Sequence, residues 1–394
     1  MIFENIIIGK GLVGAAAAKY LQKNSGDVAI IGPDEPDVIE DAIVFSSHYD
    51  EGRIQRIIGL DEVWTLLNYE SSKQYSSIES ESGIKFHNAD GCLYVNPTGM
   101  DNYLHNAKKL AGKFLSYQFF ETGKTIHQQF PGFNFPGSSA GIFERELSGS
   151  INPRLLIKAQ LKLFENNKGV IINDVVLKVK HERNHFTVYT NEKKTYHSKN
   201  VLLCPGAFIN FFDLTEKKLS LDLKSETVLL AEVSAKEAAR LSTLPSLLYE
   251  INEPEYQNIY LIKPLKYPDE KYYLKMGCNL KDDIHFKDLG KIQHWFKEGN
   301  SDKSGEVLKE ALMKIMPSLQ AVRFTTARCI VSYTHHRKEY IGKIAEDGLY
   351  VACGGNGYTA MCSDAIGKIA AHVVLHGTFV QGFPKESFIP VFTK

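Results

Sequence analysis

The residues best placed for chemistry are three glycines near the N-terminus, Gly9, Gly11 and Gly14, in G-x-G-x-x-G spacing. In this spacing the first glycine permits a tight turn, the second lets backbone approach a pyrophosphate, and the third lets a helix pack closely on a strand. Leu12 and Val13 would then open a helix whose N-terminus presents unpaired N–H groups and a positive dipole end. The motif therefore predicts a dinucleotide site with these five residues at its phosphates.

The residues around the glycines have the composition of a strand that leads into a helix. An apolar run at residues 6–8 suits a buried parallel strand, and the alanines at 15–18 favour a helix. This context favours a nucleotide site over an ordinary strand-turn-helix, which stays the structural alternative.

One part of a dinucleotide-binding sequence is missing. The second apolar run, residues 28–31, should end in an acid that binds the ribose hydroxyls, but Gly32 stands there. Asp34 and Glu35 follow closely, so either could reach back to the ribose. The alternative is that backbone groups and water hold the ribose.

Two arginines offer a cationic site further along the chain. Arg53 and Arg56 lie three positions apart in a polar, glycine-containing loop, so they would share a face if a short helix began there. Such a pair could stand beside a cofactor. The alternative is a pair of solvated arginines, which is the usual fate of charged side chains.

Turns of small residues also follow two later apolar runs. Residues 201–204 lead into a turn at 205–207 that contains Gly206, and residues 349–353 lead into Gly-Gly-Asn-Gly-Tyr at 354–358 before a helical stretch. The last arrangement repeats the strand, glycine turn and helix of the N-terminus. We therefore expect both ends of the chain to meet at one cofactor.

The composition is that of an ordinary soluble globular chain. The 394 residues suggest two domains, and 46 basic residues equal 46 acidic ones, so no net field recruits nucleic acid or an anionic membrane. No apolar run reaches about 18 residues, and no signal peptide is recognisable, which predicts a cytoplasmic protein. Six scattered cysteines without a C-x-x-C pair argue against a disulfide scaffold or a metal site and favour a reducing compartment.

Hydrophobic periodicity predicts the elements between the turns. We expect helices at about 62–81, 101–114, 153–164, 304–315 and 363–375, and strands at 169–172, 175–180, 186–190 and through 219–281. Two further strands, 82–87 and 91–95, flank a turn signal at 88–91. Asn152 and Pro153 suit the N-cap and the first position of the third helix.

With these pieces in view, the chain resembles the D-amino-acid-oxidase-like FAD-dependent oxidoreductases, nearest the monomeric sarcosine oxidase branch. The resemblance covers essentially the whole length and rests on five ordered pieces: G-K-G-L-V-G, S-S-H-Y-D-E-G-R-I-Q-R, G-S-I-N-P, L-L-C-P-G-A and A-C-G-G-N-G-Y. Their order and spacing together are more specific than any one of them.

The resemblance implies an α/β fold with an α+β substrate domain. Residues 1–85, 149–218 and 325–394 would form a discontinuous, Rossmann-like FAD-binding domain. Residues 86–148 and 219–324 would form a substrate-binding domain around an antiparallel sheet.

The resemblance also implies roles for individual residues. Arg53 would lie against the flavin and Arg56 near a substrate carboxylate. Cys329 matches the position of a covalent flavin link, and Arg328 beside it could favour the thiolate. Lys275, in Tyr-Leu-Lys-Met-Gly, would lie near flavin N5, where its positive charge could stabilise superoxide as oxygen is reduced.

The implied FAD shell is larger than the glycine motif. Besides the N-terminal glycine motif and Arg53 it contains Asp34, Ser46, Ser47, His48, Val175, Gly206, Cys329, Gly354, Gly355, Asn356, Gly357, Tyr358 and Thr359.

The sequence departs from the family pattern in the substrate shell. Asn279 stands where a histidine is expected, and Thr359 stands where a carboxylate-binding lysine is expected. Val331 replaces a tyrosine, although Tyr333 lies close by and is a further catalytic candidate. These changes put sarcosine itself in doubt as the substrate.

The resemblance implies FAD-dependent oxidation of a C–N bond in a primary, secondary or N-methyl amine or amino acid. The imine would hydrolyse in water, and oxygen would be reduced to hydrogen peroxide. Two alternatives stay open: a dehydrogenase that passes electrons to a quinone or carrier protein, and a non-catalytic nucleotide-binding subunit.

Overall fold

The computed structural model describes residues 2–47, 49–345 and 348–393. These residues form nine α-helices: α1 (Leu12–Ser25), α2 (Glu62–Ser82), α3 (Asn102–Phe114), α4 (Gly123–Gln129), α5 (Pro153–Asn166), α6 (Ala235–Arg240), α7 (Leu289–Lys297), α8 (Asp302–Ile315) and α9 (Thr359–His376). Short 3₁₀ helices lie at Ile39–Asp41, Gly206–Phe208 and Lys385–Ser387.

The same described residues form 20 strands. The first ten are β1 (Ile2–Ile8), β2 (Val28–Ile31), β3 (Arg53–Gln55), β4 (His87–Asn88), β5 (Cys92–Asn96), β6 (Tyr117–Phe120), β7 (Ala140–Glu144), β8 (Gly149–Ile151), β9 (Val170–Ile172) and β10 (Val176–His181). The others are β11 (Phe186–Thr190), β12 (Thr195–Leu203), β13 (Leu221–Val233), β14 (Ser246–Asn252), β15 (Tyr256–Lys266), β16 (Tyr272–Leu280), β17 (His285–Phe286), β18 (Ala321–Thr334), β19 (Tyr340–Ala345) and β20 (Leu349–Cys353).

An eight-stranded sheet carries both glycine turns. Its centre is parallel, because β1 pairs with β2 and β12, β2 with β9, and β12 with β20. The carboxyl ends of these strands therefore meet at one edge of the sheet. Ile7 packs into a core with α1 and α9, whereas Ile6 and Ile8 pack into another core that contains β10–β12 residues. Burial on both faces explains the unbroken apolar run.

Helices α1 and α9 are held against each other by small residues and one buried carboxylate. A Cβ atom on Gly367 would lie only 2.4 Å from the Cβ of Ala16, so glycine is required for the contact. Asp364 lies 2.5 Å from the Lys19 ammonium and accepts a hydrogen bond from Tyr20 Oη at 2.8 Å. The two helices that follow the glycine turns are thus fixed relative to each other.

A nine-stranded, mainly antiparallel sheet lies in the middle of the chain. It contains β5–β7, β13–β16, β17 and β18, and its one parallel pair among the described residues is β5 with β14. These strands come from residues 92–144 and 221–334, whereas the first sheet is built from residues 2–31, 170–203 and 340–353. A small sheet, β3-β8-β4, contains the strand of Arg53. The predicted α/β fold is confirmed.

Most predicted elements lie where periodicity placed them, but the strand predicted at 82–87 was wrong, because α2 runs to Ser82 and only His87 of that range lies in a strand, β4. Asn152 caps α5 by accepting a hydrogen bond from Leu155 N at 3.0 Å. The strands on either side of the turn at 88–91 do not pair with each other: β4 pairs with β8, and β5 with β7 and β14.

Within the described residues, no helix has the length and apolar character needed to cross a membrane.

Candidate active site

One cavity of about 780 Å³ lies at the carboxyl edge of the parallel sheet and extends to the antiparallel sheet. This volume is in the range of about 300–1,000 Å³ that is usual for ligand pockets. The predicted residues in its wall are Gly9, Gly11, Leu12, Val13, Asp34, Ser46, Ser47, Arg53, Arg56, Val175, Gly206, Gly354, Gly355, Gly357, Tyr358 and Thr359. The structure thus brings the two ends of the chain to one site.

Five of the predicted site residues that the structure describes are not in that wall. Gly14, Lys275, Cys329, Tyr333 and Asn356 lie outside the residues that line the cavity. His48 lies outside the residues that the structure describes.

The three N-terminal glycines have different structural constraints. Gly9 has φ +107°, and a Cβ there would lie 2.2 Å from the Cys204 carbonyl oxygen. A Cβ on Gly14 would lie 1.9 Å from the Gly9 carbonyl oxygen, whereas a Cβ on Gly11 would meet no protein atom within 4 Å. Gly9 and Gly14 are therefore required by the protein's own backbone, and Gly11 is open to the cavity.

The N-termini of α1 and α9 both supply backbone donors to the cavity wall. Neither helix has a side-chain cap, although the first N–H groups of a helix have no partner within it. An anionic group bound at α1 would satisfy these donors and meet the positive end of the helix dipole. The residues present therefore fit the pyrophosphate of a dinucleotide.

The missing ribose acid has a steric explanation. A Cβ at Gly32 would lie 2.6 Å from the backbone nitrogen of Lys10, so no acidic side chain can stand at the end of β2. Asp34 forms an ion pair with Lys10 and keeps a largely exposed carboxylate in the cavity wall. Glu35 is bound by Arg154, whose Nε donates at 2.7 Å. Asp34 accordingly stays the predicted ribose ligand.

The second glycine turn is braced by Asn356. Its Oδ1 accepts from Thr334 N at 3.0 Å, and its Nδ2 donates to Gly354 O at 2.6 Å. Gly354 and Gly357 have φ of +89° and +78°, values that glycine tolerates best. Asn356 thus shapes the turn from behind.

Arg53 and Lys275 share one buried carboxylate. Arg53 Nε lies 3.2 Å from Asp50 Oδ1, and Lys275 Nζ pairs with Asp50 Oδ2 and donates to Gly52 O at 2.9 Å. Burial lowers the pKa of Lys275, which is only 1% exposed. Asp50 is a functional residue that sequence reasoning missed, because it is 225 positions away from Lys275.

Arg56 is a buried cation in the cavity wall. The prediction of a shared helical face with Arg53 was wrong, because Arg53 lies in strand β3. The Arg56 side chain is 4% exposed and lies 5.7 Å and 5.4 Å from the rings of Tyr94 and Tyr358. Within the described residues its guanidinium has no hydrogen-bond acceptor and no ion pair, and Nε is buried and unpartnered.

The backbone that follows Arg56 is held by a buried acid, Glu144. Its two carboxyl oxygens accept from Ile57 N at 2.7 Å and Ile58 N at 3.1 Å, and Tyr94 Oη donates at 3.0 Å. Burial raises the pKa of Glu144. No local motif marks this residue, since its partners lie 86 and 87 positions away.

Two further acids in the wall were missed by sequence reasoning. Glu226 accepts from Tyr260 Oη at 2.9 Å, and burial raises the pKa of Glu226. Glu339 is fully buried directly before β19. No local pattern marked Glu226, because β13 also contains the charged residues Asp222, Lys224 and Glu232.

Cys329 and Tyr333 lie on β18 beside the cavity. Burial raises the pKa of the Cys329 thiol, while Arg53 and Lys275 act in the opposite direction. Arg328, the expected activator, instead donates to Phe296 O at 3.1 Å. The Tyr333 ring is covered by the Arg337 guanidinium at 4.3 Å.

Comparisons with known proteins agree with this geometry. The sequence matches the family described as FAD dependent oxidoreductase over residues 5–373. The chain is 25% identical to N-methyl-L-tryptophan oxidase of Yersinia pestis (strain Pestoides F) over 211 residues, which are 53% of this chain and 55% of that protein. The chain therefore spans about half the length of the curated relatives it matches.

Solved structures share the fold at low identity. NikD, an unusual amino acid oxidase essential for nikkomycin biosynthesis, aligns with a TM-score of 0.80 and 15% identity over 100% of this chain and 98% of NikD. L-proline dehydrogenase from P. horikoshii aligns with 0.73 and 16% over 98% and 96%. Glycine oxidase from Geobacillus kaustophilus aligns with 0.70 and 15% over 98% of each chain.

Adding the same methyl group at two glycines tests the phosphate site. We expect Gly14→Ala to lose about 1–3 kcal/mol of unfolding free energy, because its Cβ overlaps backbone. Gly11→Ala should keep its stability and bind FAD more weakly. Gly11→Asp should fold, since aspartate is a good N-cap, and lose FAD because its carboxylate would face the phosphates.

The measurements are urea unfolding and the FAD absorbance of gel-filtered protein. Stoichiometric FAD in Gly11→Asp would show that the phosphates lie elsewhere.

The predicted covalent link can be tested by acid precipitation. The family position of Cys329 predicts a yellow pellet from the natural protein, although burial raises the pKa of its thiol and Arg53 and Lys275 offset only part of that rise. Cys329→Ser should move the colour to the supernatant. Cys353→Ser, which changes a buried cysteine that lines the cavity, should leave the pellet yellow. Colour that washes entirely from the natural protein would exclude the link.

Proposed function

Because the chain belongs to the family of FAD dependent oxidoreductases, with FAD as its cofactor, we propose that it oxidises the C–N bond of an amino acid. The product is an imine, which water hydrolyses. The observation that carries this proposal is the buried Arg56 guanidinium in the cavity wall, without an acceptor among the described residues.

A buried cation without an anionic partner is costly, so a bound anion would stabilise it. A carboxylate fits the guanidinium fork with two parallel hydrogen bonds. The rings of Tyr94 and Tyr358 flank the guanidinium and exclude water from it. The Arg56 site therefore supports an amino-acid substrate over a simple amine, and the relatives named as amino-acid oxidases support the same reaction class.

The chain's own residues would position the substrate. Arg56 holds the carboxylate, and Tyr260 with Glu226 forms a polar part of the same wall. Bound FAD supplies the two-electron oxidation at the carbon next to nitrogen. We also propose that the antiparallel sheet, which carries Tyr260 and Glu226, is the core of the substrate-binding domain.

Oxygen is the electron acceptor that we propose. Lys275 supplies a fixed positive charge near the cavity, and such a charge stabilises the superoxide anion that oxygen becomes when it takes one electron. One observation favours the alternative, a dehydrogenase: the Lys275 ammonium is bound by Asp50 and Gly52 and lies outside the cavity wall. A structural neighbour is named as a dehydrogenase.

Removing the cation of Arg56 tests the substrate class. We expect Arg56→Gln to raise the KM of the best amino-acid substrate by at least about thirtyfold, because truncating a buried charge pair costs roughly 2–5 kcal/mol. Arg183→Gln removes an exposed arginine outside the wall and serves as the matched control. An unchanged KM in Arg56→Gln would point to a simple amine as substrate.

Removing the cation of Lys275 tests the acceptor. Lys275→Met should leave anaerobic reduction by substrate within about tenfold, a barrier change of ~1.4 kcal/mol, and slow reoxidation by oxygen by orders of magnitude. Lys271→Met, at an exposed lysine of the same hairpin, should change neither rate. Stopped-flow absorbance separates the half-reactions. Unchanged reoxidation in Lys275→Met, with little peroxide per turnover, would support the dehydrogenase.

A further inference from the structure

The carboxyl group of Glu339 has one bound oxygen and one free oxygen. Its Oε1 forms a short hydrogen bond with Thr359 Oγ1. Its Oε2 is buried and has no hydrogen-bond partner among the described residues. Glu339 is 0% exposed and lies in the cavity wall. A fully buried carboxyl oxygen without a partner is costly, so a ligand that bonds it would stabilise the site.

The hydrogens around Thr359 leave Glu339 Oε2 as a hydrogen-bond acceptor. The Thr359 hydroxyl has one proton and two neighbouring oxygens, Glu339 Oε1 and Gly355 O at 3.0 Å. Gly355 O already accepts from the backbone N–H groups of Tyr358 and Thr359, so Thr359 can donate to an ionised Glu339 or accept from a Glu339 protonated on Oε1. In both arrangements Oε2 carries no proton and accepts a hydrogen bond.

The electrostatic surroundings agree with a protonated carboxyl group. Burial raises the pKa of Glu339 to about 8, which is above neutral pH. Lys338 is the nearby cation, and its ammonium lies 2.5 Å from Asp61 Oδ2. The other titratable neighbours, Cys353 and Cys362, have thiols whose pKa values are themselves raised by burial.

Glu339 and Arg56 contact two adjacent residues at the N-terminus of α9. The Arg56 guanidinium lies over the ring of Tyr358, and Glu339 is bonded to the next residue, Thr359. An amino acid has its nitrogen two bonds from the carboxylate carbon. We take a carboxylate held by Arg56 to place the substrate N–H group against the part of the wall that contains Glu339.

We propose that Glu339 is a substrate-binding residue whose Oε2 accepts a hydrogen bond from the substrate's N–H group. This inference rests on the proposed function, because it takes the carboxylate to be at Arg56. It also explains why threonine stands at position 359, where the family pattern has lysine: the Thr359 hydroxyl orients the Glu339 carboxyl group. The site is specific for substrates with a hydrogen on nitrogen and rejects fully substituted amines.

Two planar acids that differ at one atom test the proposal by calorimetry on FAD-loaded protein. Pyrrole-2-carboxylate carries an N–H donor where furan-2-carboxylate carries an oxygen, and neither has a hydrogen-bearing sp³ carbon next to nitrogen that could be oxidised. We expect the natural protein to bind the pyrrole about fivefold more tightly, the effect of one net hydrogen bond.

The variants separate the acceptor from the carboxylate site. Glu339→Gln copies the protonated acid, with its NH₂ group donating to Thr359, and should keep the ratio within about twofold. Glu339→Leu should reduce the ratio to about one. Arg56→Gln should weaken both probes equally and leave the ratio unchanged.

Three other outcomes would overturn the proposal. A ratio that survives in Glu339→Leu overturns the proposal while the proposed function stands. Loss of FAD from Glu339→Leu without a change in ratio also overturns it and assigns the acid to the cofactor. Failure of both probes to bind the natural protein overturns the amino-acid substrate and this proposal together.

Discussion

The structure depends on how buried positive charge is balanced around one cavity. Arg53 and Lys275 share the carboxylate of Asp50, so two cations have one counter-charge. Arg56 has no described carboxylate within ion-pair distance. An uncompensated charge in an apolar interior lowers the stability of the folded protein. A bound anion would offset this loss. The cavity therefore suits anionic ligands: its α1 end fits phosphates, and at Arg56 we propose a carboxylate.

Polar groups at a distance from the cavity hold these cations in place. Glu144 binds the two backbone N–H groups that follow Arg56, and Tyr94 joins the same carboxyl group while its ring flanks the guanidinium. Asn356 has a similar function at the other wall, because it fixes the turn before α9. The geometry of the site is thus set by a second layer of residues that a ligand would not touch.

Local patterns predicted much of this molecule, because strands, helices and glycine turns are encoded by neighbouring residues. The G-x-G-x-x-G motif, the N-cap at Asn152 and the second glycine turn are of this kind. Sequence reasoning did not find Asp50, Glu144 or Glu339, whose partners are distant in the chain. It placed Arg53 in a loop and left a short helix open, where the structure has a strand. The steric exclusion of an acid at Gly32 also depends on a distant backbone atom.

The contact between α1 and α9 has a consequence for the order in which the molecule forms. The Lys19–Asp364 pair joins residues that are 345 positions apart, and the central strand β1 pairs with β12, far along the chain. Contacts between residues so far apart in the sequence form late, because closing the long loop between them costs entropy before the contacts can stabilise the chain. The cofactor site is completed only when the last helix docks. During synthesis, the early segments must wait for residues that the ribosome adds more than 300 positions later.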